Sequence, residues 1–312
     1  MAAVREKKRL SFKDIIKNVR QNWIIYVMIL PVLFYYIIFA YWPMYGVTLA
    51  FKDYHVKAGI LRSPWIGFEN FQRFFSAYNF KDLLRNTLGL SIYSTLVGFP
   101  IPILFALFLN YLRSTRLKKF IQTVSYAPHF ISTVVICGMI NVFCTPNTGA
   151  FNLLRGLIGL ESINFLGKAS LFKHIYVWSG IWQGMGWSAI IYISALAGVD
   201  FEMHEAAILD GATKLQRMRY IDIPSIAPTI IMLLILQLGG IMSVGFEKVF
   251  LLQNDLNRPS SSIISTYVYQ VGMLERNYGY STAIGLFNNV INVILLLTAN
   301  TISKKALKES LF

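Results

Sequence analysis

Acidic side chains are the first shortage: the 312-residue chain has 15 Asp and Glu against 29 Lys and Arg. Charge of either sign is missing from six long stretches, Ile24–Phe51, Asn86–Leu112, Phe120–Leu154, His174–Val199, Ile223–Phe246 and Asn277–Ser303. Carriers driven by protons or ions ordinarily keep Asp, Glu, Lys or Arg within such stretches, so this gap argues against that class. Cysteine is limited to Cys137 and Cys144; their separation is not that of zinc ligands, and both read as packing residues. His204-Glu205 could open an H-E-x-x-H zinc site, but Ile208 stands where the second histidine belongs, so no metal site is predicted. A phosphate-cradling G-x-x-x-x-G-K-[ST] loop is also missing. Gly167-Lys168 is followed by Ala169, and Ser162 occupies the first glycine position. Without that loop and without a G-x-S-x-G elbow, the chain is expected to hydrolyse no nucleotide, to carry no catalytic residue and to bind no cofactor of its own.

What is present is apolar: 55% of the residues are hydrophobic. Each uncharged stretch exceeds the roughly 20 residues that carry a helix across a bilayer. The expected fold is therefore all-α, a polytopic membrane protein with six transmembrane helices. The net charge of +14 is unevenly spread. Arg5, Lys7, Lys8, Arg9, Lys13, Lys17 and Arg20 precede the first stretch, and Arg113, Arg116, Lys118 and Lys119 fill the second connection. Lys214, Arg217 and Arg219 follow the fourth stretch, and Lys304, Lys305 and Lys308 follow the last. This alternation is the positive-inside pattern, which predicts both termini on the cytoplasmic side of a bacterial inner membrane. The basic excess then orients the chain and attracts anionic lipid, and no basic stripe with interleaved aromatics remains for nucleic acid. Residues 1–22 read as a basic cytoplasmic lead-in with Phe12, Ile15, Ile16 and Val19 on one face. Its apolar continuation is too long for a signal peptide and has no convincing cleavage site, so it is expected to stay as the first span. Residues 23–303 form one membrane domain in this reading, and 304–312 a cytoplasmic tail.

The most informative segment lies at 200–224, between the fourth and fifth stretches. Asp200 suits the N-cap of a helix over about Phe201–Leu209. Asp210-Gly211 is a turn in which Gly211 can take positive φ. Thr213 with Gln216 three residues on fits a capping box that starts a second helix, and Pro224 stands where the next helix can begin. So short a hairpin cannot bury a core of its own. Met203, Ala206, Ala207, Leu209, Leu215 and Met218 supply apolar surface with which it must dock on something else.

Glu205-Ala206-Ala207, Asp210-Gly211-Ala212, Gln216, Ile221 and Pro224 keep a spacing that resembles the EAA loop of ATP-binding-cassette importer permeases. That resemblance implies a cytoplasmic coupling helix inserted into a cleft of a separate ATPase subunit, with Glu205, Ala206, Ala207, Asp210, Gly211 and Pro224 at the coupling positions. The strings Pro43–Tyr54 (PMYGVTLAFKDY), Gly67–Phe75 (GFENFQRFF) and Gln122–Ser132 (QTVSYAPHFIS) narrow the likeness to the LplB-like oligosaccharide permeases of the carbohydrate-uptake type. The resemblance implies four kinds of partner: a second homologous permease, two ATPase subunits that hold ATP and magnesium, an extracellular lipoprotein-type binding protein and a sugar substrate.

Within the fourth stretch Gly180, Gln183, Gly184, Trp187 and Ile191 share one helical face. Two glycines open space there, Gln183 can donate and accept, and Trp187 offers a flat surface to a pyranose. The same residues serve equally well as small-residue helix packing with a glutamine bonded between helices. By the spacing of the resembled branch, Gly180, Gln183, Gly184 and Trp187, then Gln237, Gly240, Ile241 and Val244, fall at substrate-pathway positions. His129 reads as an interhelical hydrogen-bonding residue, and Asn288, Asn289 and Asn292 as packing residues that could also face a path. The rival functions are an ion-coupled secondary carrier, an intramembrane enzyme and an importer permease for a non-sugar solute.

Overall fold

The computed structural model describes residue 18 and residues 20–307. The lead-in face of Phe12, Ile15, Ile16 and Val19 lies outside them. Among the described residues there are helices and no strands, with one isolated bridge between Lys52 and Trp65. Four of the described helices are long and apolar enough to cross a membrane: α1 (Trp23–Phe51), α3 (Phe80–Asn110), α8 (Lys214–Leu238) and α10 (Tyr278–Leu307). Two bent pairs bring the total to six if each is one span. These are α4 (Thr115–Phe130) with α5 (Thr133–Phe143), and α6 (Ala169–Leu196) with α7 (Phe201–Leu209). The expected all-α, polytopic architecture is the one observed.

The chain departs from straight spans where local chemistry demands it. Pro100 and Pro102 lie in the second span, and α3 is interrupted at Phe99, immediately before them. The third uncharged stretch, 120–154, does not form one helix. Pro128 lies in a 3-10 turn, Ile131 is extended, and Ser132 caps α5 by accepting from Val135 N at 3.4 Å. The two pieces therefore meet at 97°. A proline without an N–H and a serine ready to cap are enough to end one helix and begin another. Apolarity alone did not reveal this break.

The glycine-led aromatic segment forms α2 (Glu69–Phe75) and packs against α10. Phe74 is fully buried and meets Phe287 edge-on at 5.5 Å. The connection at 247–280 is folded into the body. It holds α9 (Phe246–Leu252), and Lys248, Val249, Leu252, Ile263 and Ile264 are all buried. Asn86 of α3 donates to the carbonyls of Pro259 (2.9 Å) and Ser262 (3.2 Å), and Thr87 Oγ1 accepts from Ile264 N at 3.0 Å. Asn292 accepts from Met242 N and donates to Ser243 Oγ, each at 2.9 Å, which makes it a packing residue. Buried backbone groups need such partners, and here the polar residues of the spans supply them. Cys137 and Cys144 are free and buried in the cluster around Leu90, Phe172 and Val249, in keeping with a packing role. The first part of α1, Trp23–Tyr36, buries none of its side chains; α1 contacts the body through Tyr45–Phe51, against α10.

Candidate functional site

The hairpin between α6 and α8 is built as its residues require. Asp200 caps α7 by accepting from Glu202 N at 2.9 Å. At the other end Gly211 has φ +77°. Gly211 N donates to Ile208 O at 3.0 Å and Ala212 N to Ala207 O at 2.8 Å. Those two bonds are the pair of a Schellman stop, which needs a left-handed residue at the glycine position. Thr213 and Gln216 complete the capping box that starts α8. The second helix does not end at Pro224. It continues through a π-turn at Met218–Asp222 into the span, with Pro224 at the first turn of the regular helix that follows.

One side of the hairpin is rooted and the other is bare. Met218 packs with Tyr192, Leu196 and Ile226, and Ala207 is half-buried. Phe201, Leu209, Leu215 and Tyr220 are 69%, 88%, 72% and 69% exposed. Met203, Glu205, Ala206, Asp210, Gly211 and Pro224 are exposed with them. Large apolar residues left open beside a membrane domain are available to lipid or to a partner.

The root contains a group that sequence reading missed. Asp222, fully buried, accepts from Tyr111 Oη at 2.6 Å. His204 Nε2 of α7 lies 3.2 Å from the other carboxylate oxygen, an ion-pair distance without hydrogen-bond alignment. The Arg217 guanidinium stands 5.5 Å from the centre of the Tyr111 ring. Burial, and then the hydrogen bond to Asp222, pushes the Tyr111 phenol well above its usual range, so it remains a donor. One carboxylate thus ties the end of α3, the middle of α7 and the start of α8. The available signal was the departure of Asp222 from an apolar register at the mouth of a span. The discarded zinc-site histidine, His204, is its neighbour.

Deeper in the bundle, a cavity of about 320 Å³ is lined by Ser94, Gly180, Gln183, Gly184, Gln237 and Lys248, among others. A second, of about 500 Å³, adjoins it and is lined by Trp187, Ile191 and Leu233; Ser188 and Gln237 border both. The structure therefore brings Gly180, Gln183, Gly184 and Gln237 together and places Trp187 in the adjoining chamber. Trp187 stacks on His129, the rings parallel within 3° at 4.5 Å, with Phe130 at its edge. His129 is thus a stacking partner of an indole rather than the interhelical bridge expected. Gln183 donates to Ile131 O at 3.2 Å and Gln237 to Thr95 Oγ1 at 3.3 Å, so both amides join helices while facing the cavity. Gly240 lines neither chamber, Ile241 packs in the cluster around Phe74 and Met242, and Val244 packs against the cluster around Leu90 and Val249. Among the described residues no group of His, Cys, Asp or Glu is arranged to hold a metal ion.

Comparison with known proteins bears on this arrangement. Residues 74–308 match the family model described as binding-protein-dependent transport system inner membrane component. Protein LplB of Bacillus subtilis is 45% identical over 94% of this chain and 92% of its own length. The polygalacturonan/rhamnogalacturonan transport system permease protein YteP of the same organism is 41% identical over 99% of this chain and 96% of its own. A chain of the crystal structure of a bacterial alginate ABC transporter, in complex with an alginate pentasaccharide-bound periplasmic protein, superposes with a TM-score of 0.88. It is 38% identical, and the match covers 95% of this chain and 99% of that one.

Proposed function

The chain belongs to the binding-protein-dependent transport system inner membrane components, and from that premise we propose that it is the permease subunit of an ATP-binding-cassette importer for oligosaccharides. It is a multi-pass membrane protein and a transporter subunit. The observation that carries the reading is the rooted hairpin with a bare apolar face: Phe201, Leu209 and Leu215 form a docking surface on a segment tied to two spans through Asp222. In this reading Glu205, Ala206, Ala207, Asp210, Gly211 and Pro224 belong to the contact with a partner ATPase, which binds ATP and magnesium. Closure of two such ATPases moves α7 and, through its root, α3 and α8. Substrate arrives from an extracellular binding protein and passes between this chain and a second, homologous permease. The unburied Trp23–Tyr36 part of α1 suits contact with that permease or with lipid.

The decisive experiment is uptake of a labelled oligosaccharide into vesicles carrying the complete importer. Uptake that requires ATP inside and ignores an imposed ion gradient supports the reading; uptake driven by the gradient without ATP assigns the chain to the secondary carriers instead. Orientation is tested separately. With both termini and the hairpin cytoplasmic, a Thr213→Cys variant should resist a membrane-impermeant thiol reagent added to intact cells and react once the membrane is opened. Ready labelling from outside would overturn the topology.

Gly180, Gln183, Gly184, Trp187, Gln237 and Gly240 are proposed to flank the path, with Ile241 and Val244 supporting it from the core side. Trp187→Ala and Gln237→Ala should each lower uptake by about two- to tenfold, the range given by a net hydrogen bond of about 0.5–1.5 kcal/mol and a comparable ring contact. Assembly and basal ATP hydrolysis should be retained. Normal uptake in both variants, or failure of both to assemble, would assign these residues to packing.

A further inference from the structure

The cavity beside Gln183 and Gln237 contains an unpaired cation. Lys248 is 8% exposed, and its Nζ makes no hydrogen bond among the described residues. The Tyr176 ring centre is 5.2 Å from Nζ. No Asp or Glu lines the cavity, and the adjacent Glu247 is exposed. Gly180 lies against the ammonium: a Cβ there would stand 3.4 Å from Nζ. The glycine thus leaves the space around the charge open.

A buried ammonium without a counter-ion is unfavourable and is ordinarily found where a ligand or a relay supplies the missing charge. A relay built on carboxylates or imidazoles needs a second such group, and no Asp, Glu or His lines this cavity. We propose that Lys248 is a specificity-determining residue for acidic oligosaccharides, pairing with the carboxylate of a uronate unit while Gln183 and Gln237 meet its hydroxyls. This inference rests on the oligosaccharide-permease reading and adds the charge of the cargo. A compact ammonium on a flexible stem suits a passing carboxylate, because it attracts without the fixed two-point geometry that arginine imposes.

The test uses vesicles holding the complete importer and a panel of labelled pentasaccharides: oligogalacturonate, oligomannuronate and their neutral counterparts, oligogalactose and oligomannose. Wild type should take up at least one acidic probe in preference to its neutral counterpart. Lys248→Gln should lower that acidic uptake by about tenfold or more, the worth of one charge-assisted hydrogen bond, and leave neutral uptake unchanged or raised. Lys248→Arg, which keeps the charge, should retain most of the preference. Uptake of neutral probes alone would overturn the inference and leave the permease reading standing; uptake of none of the panel would overturn both. Equal losses for acidic and neutral probes would make the lysine a packing residue. Failure of Lys248→Gln to assemble with the second permease would show that the partner supplies the counter-ion, and would equally overturn the proposal.

Discussion

Gly211→Val is expected to abolish substrate-stimulated ATP hydrolysis and uptake while leaving membrane insertion intact. Within this chain the position is open, with no heavy atom other than those of its sequence neighbours within 4 Å of a Cβ built there, so crowding inside the chain plays no part. The backbone decides the outcome. At φ +77° a β-branched residue is strained by about 1–3 kcal/mol. Relief comes by giving up the two bonds that stop α7, from Gly211 N to Ile208 O and from Ala212 N to Ala207 O. Releasing that stop changes the angle at which α7 and its exposed face meet α8. Gly211→Asn tolerates the left-handed conformation and should retain most of the activity. The measurements are ATPase activity in reconstituted vesicles and co-purification of the ATPase subunits. Normal stimulated activity in Gly211→Val would refute the coupling role of the turn.

Asp222→Ala should cause the other large loss, through the root of the hairpin rather than its tip. The substitution leaves the buried Tyr111 hydroxyl without its 2.6 Å acceptor and His204 without its neighbouring carboxylate. A hydrogen bond to a charged group contributes about 1.5–3 kcal/mol. Its loss should both lower thermal stability and uncouple α7 from α3. Asp222→Asn keeps an acceptor for Tyr111 and should fall between wild type and Asp222→Ala. Tyr111→Phe combined with Asp222→Ala should be less damaging than the sum of the two single changes, because both remove the same bond. Strict additivity in that cycle, read by thermal unfolding and by ATP-dependent uptake, would show that the two residues do not act together.

Much of this architecture could be read before any coordinates, because the controlling interactions are local. A run without charge has one stable way to cross lipid, as a helix that bonds its own backbone, and six such runs lead to the observed class of fold. The hairpin was equally legible. Asp200, Gly211 and the Thr213–Gln216 box act on backbone groups within a few residues of themselves, and each does what its type and position imply. The break after Pro128 was visible in principle from Pro128 and Ser132, but the apolarity of 120–154 pointed to one span and obscured it.

The sequence by itself therefore determined the helices, their membrane character and the capped hairpin at 200–224, since lipid and backbone geometry act on each segment alone. The surroundings of individual side chains were decided elsewhere. Glu247 and Lys248 end an apolar run, and nothing near them in the sequence points to burial; only the packing of α9 on α5 and α6 puts Lys248 into the cavity beside Gln183. Asp222 was one charge among several near a span. It became a junction only when Tyr111, 111 residues earlier, and His204 were folded onto it. Trp187 shares a helical face with Gln183, yet His129 from the broken third span holds its ring in the next chamber. In each case the deciding partner is distant in the chain, and no period or spacing around the residue carries information about it. Desolvation and pairing energies depend on that partner, so only the tertiary structure could assign these residues their places.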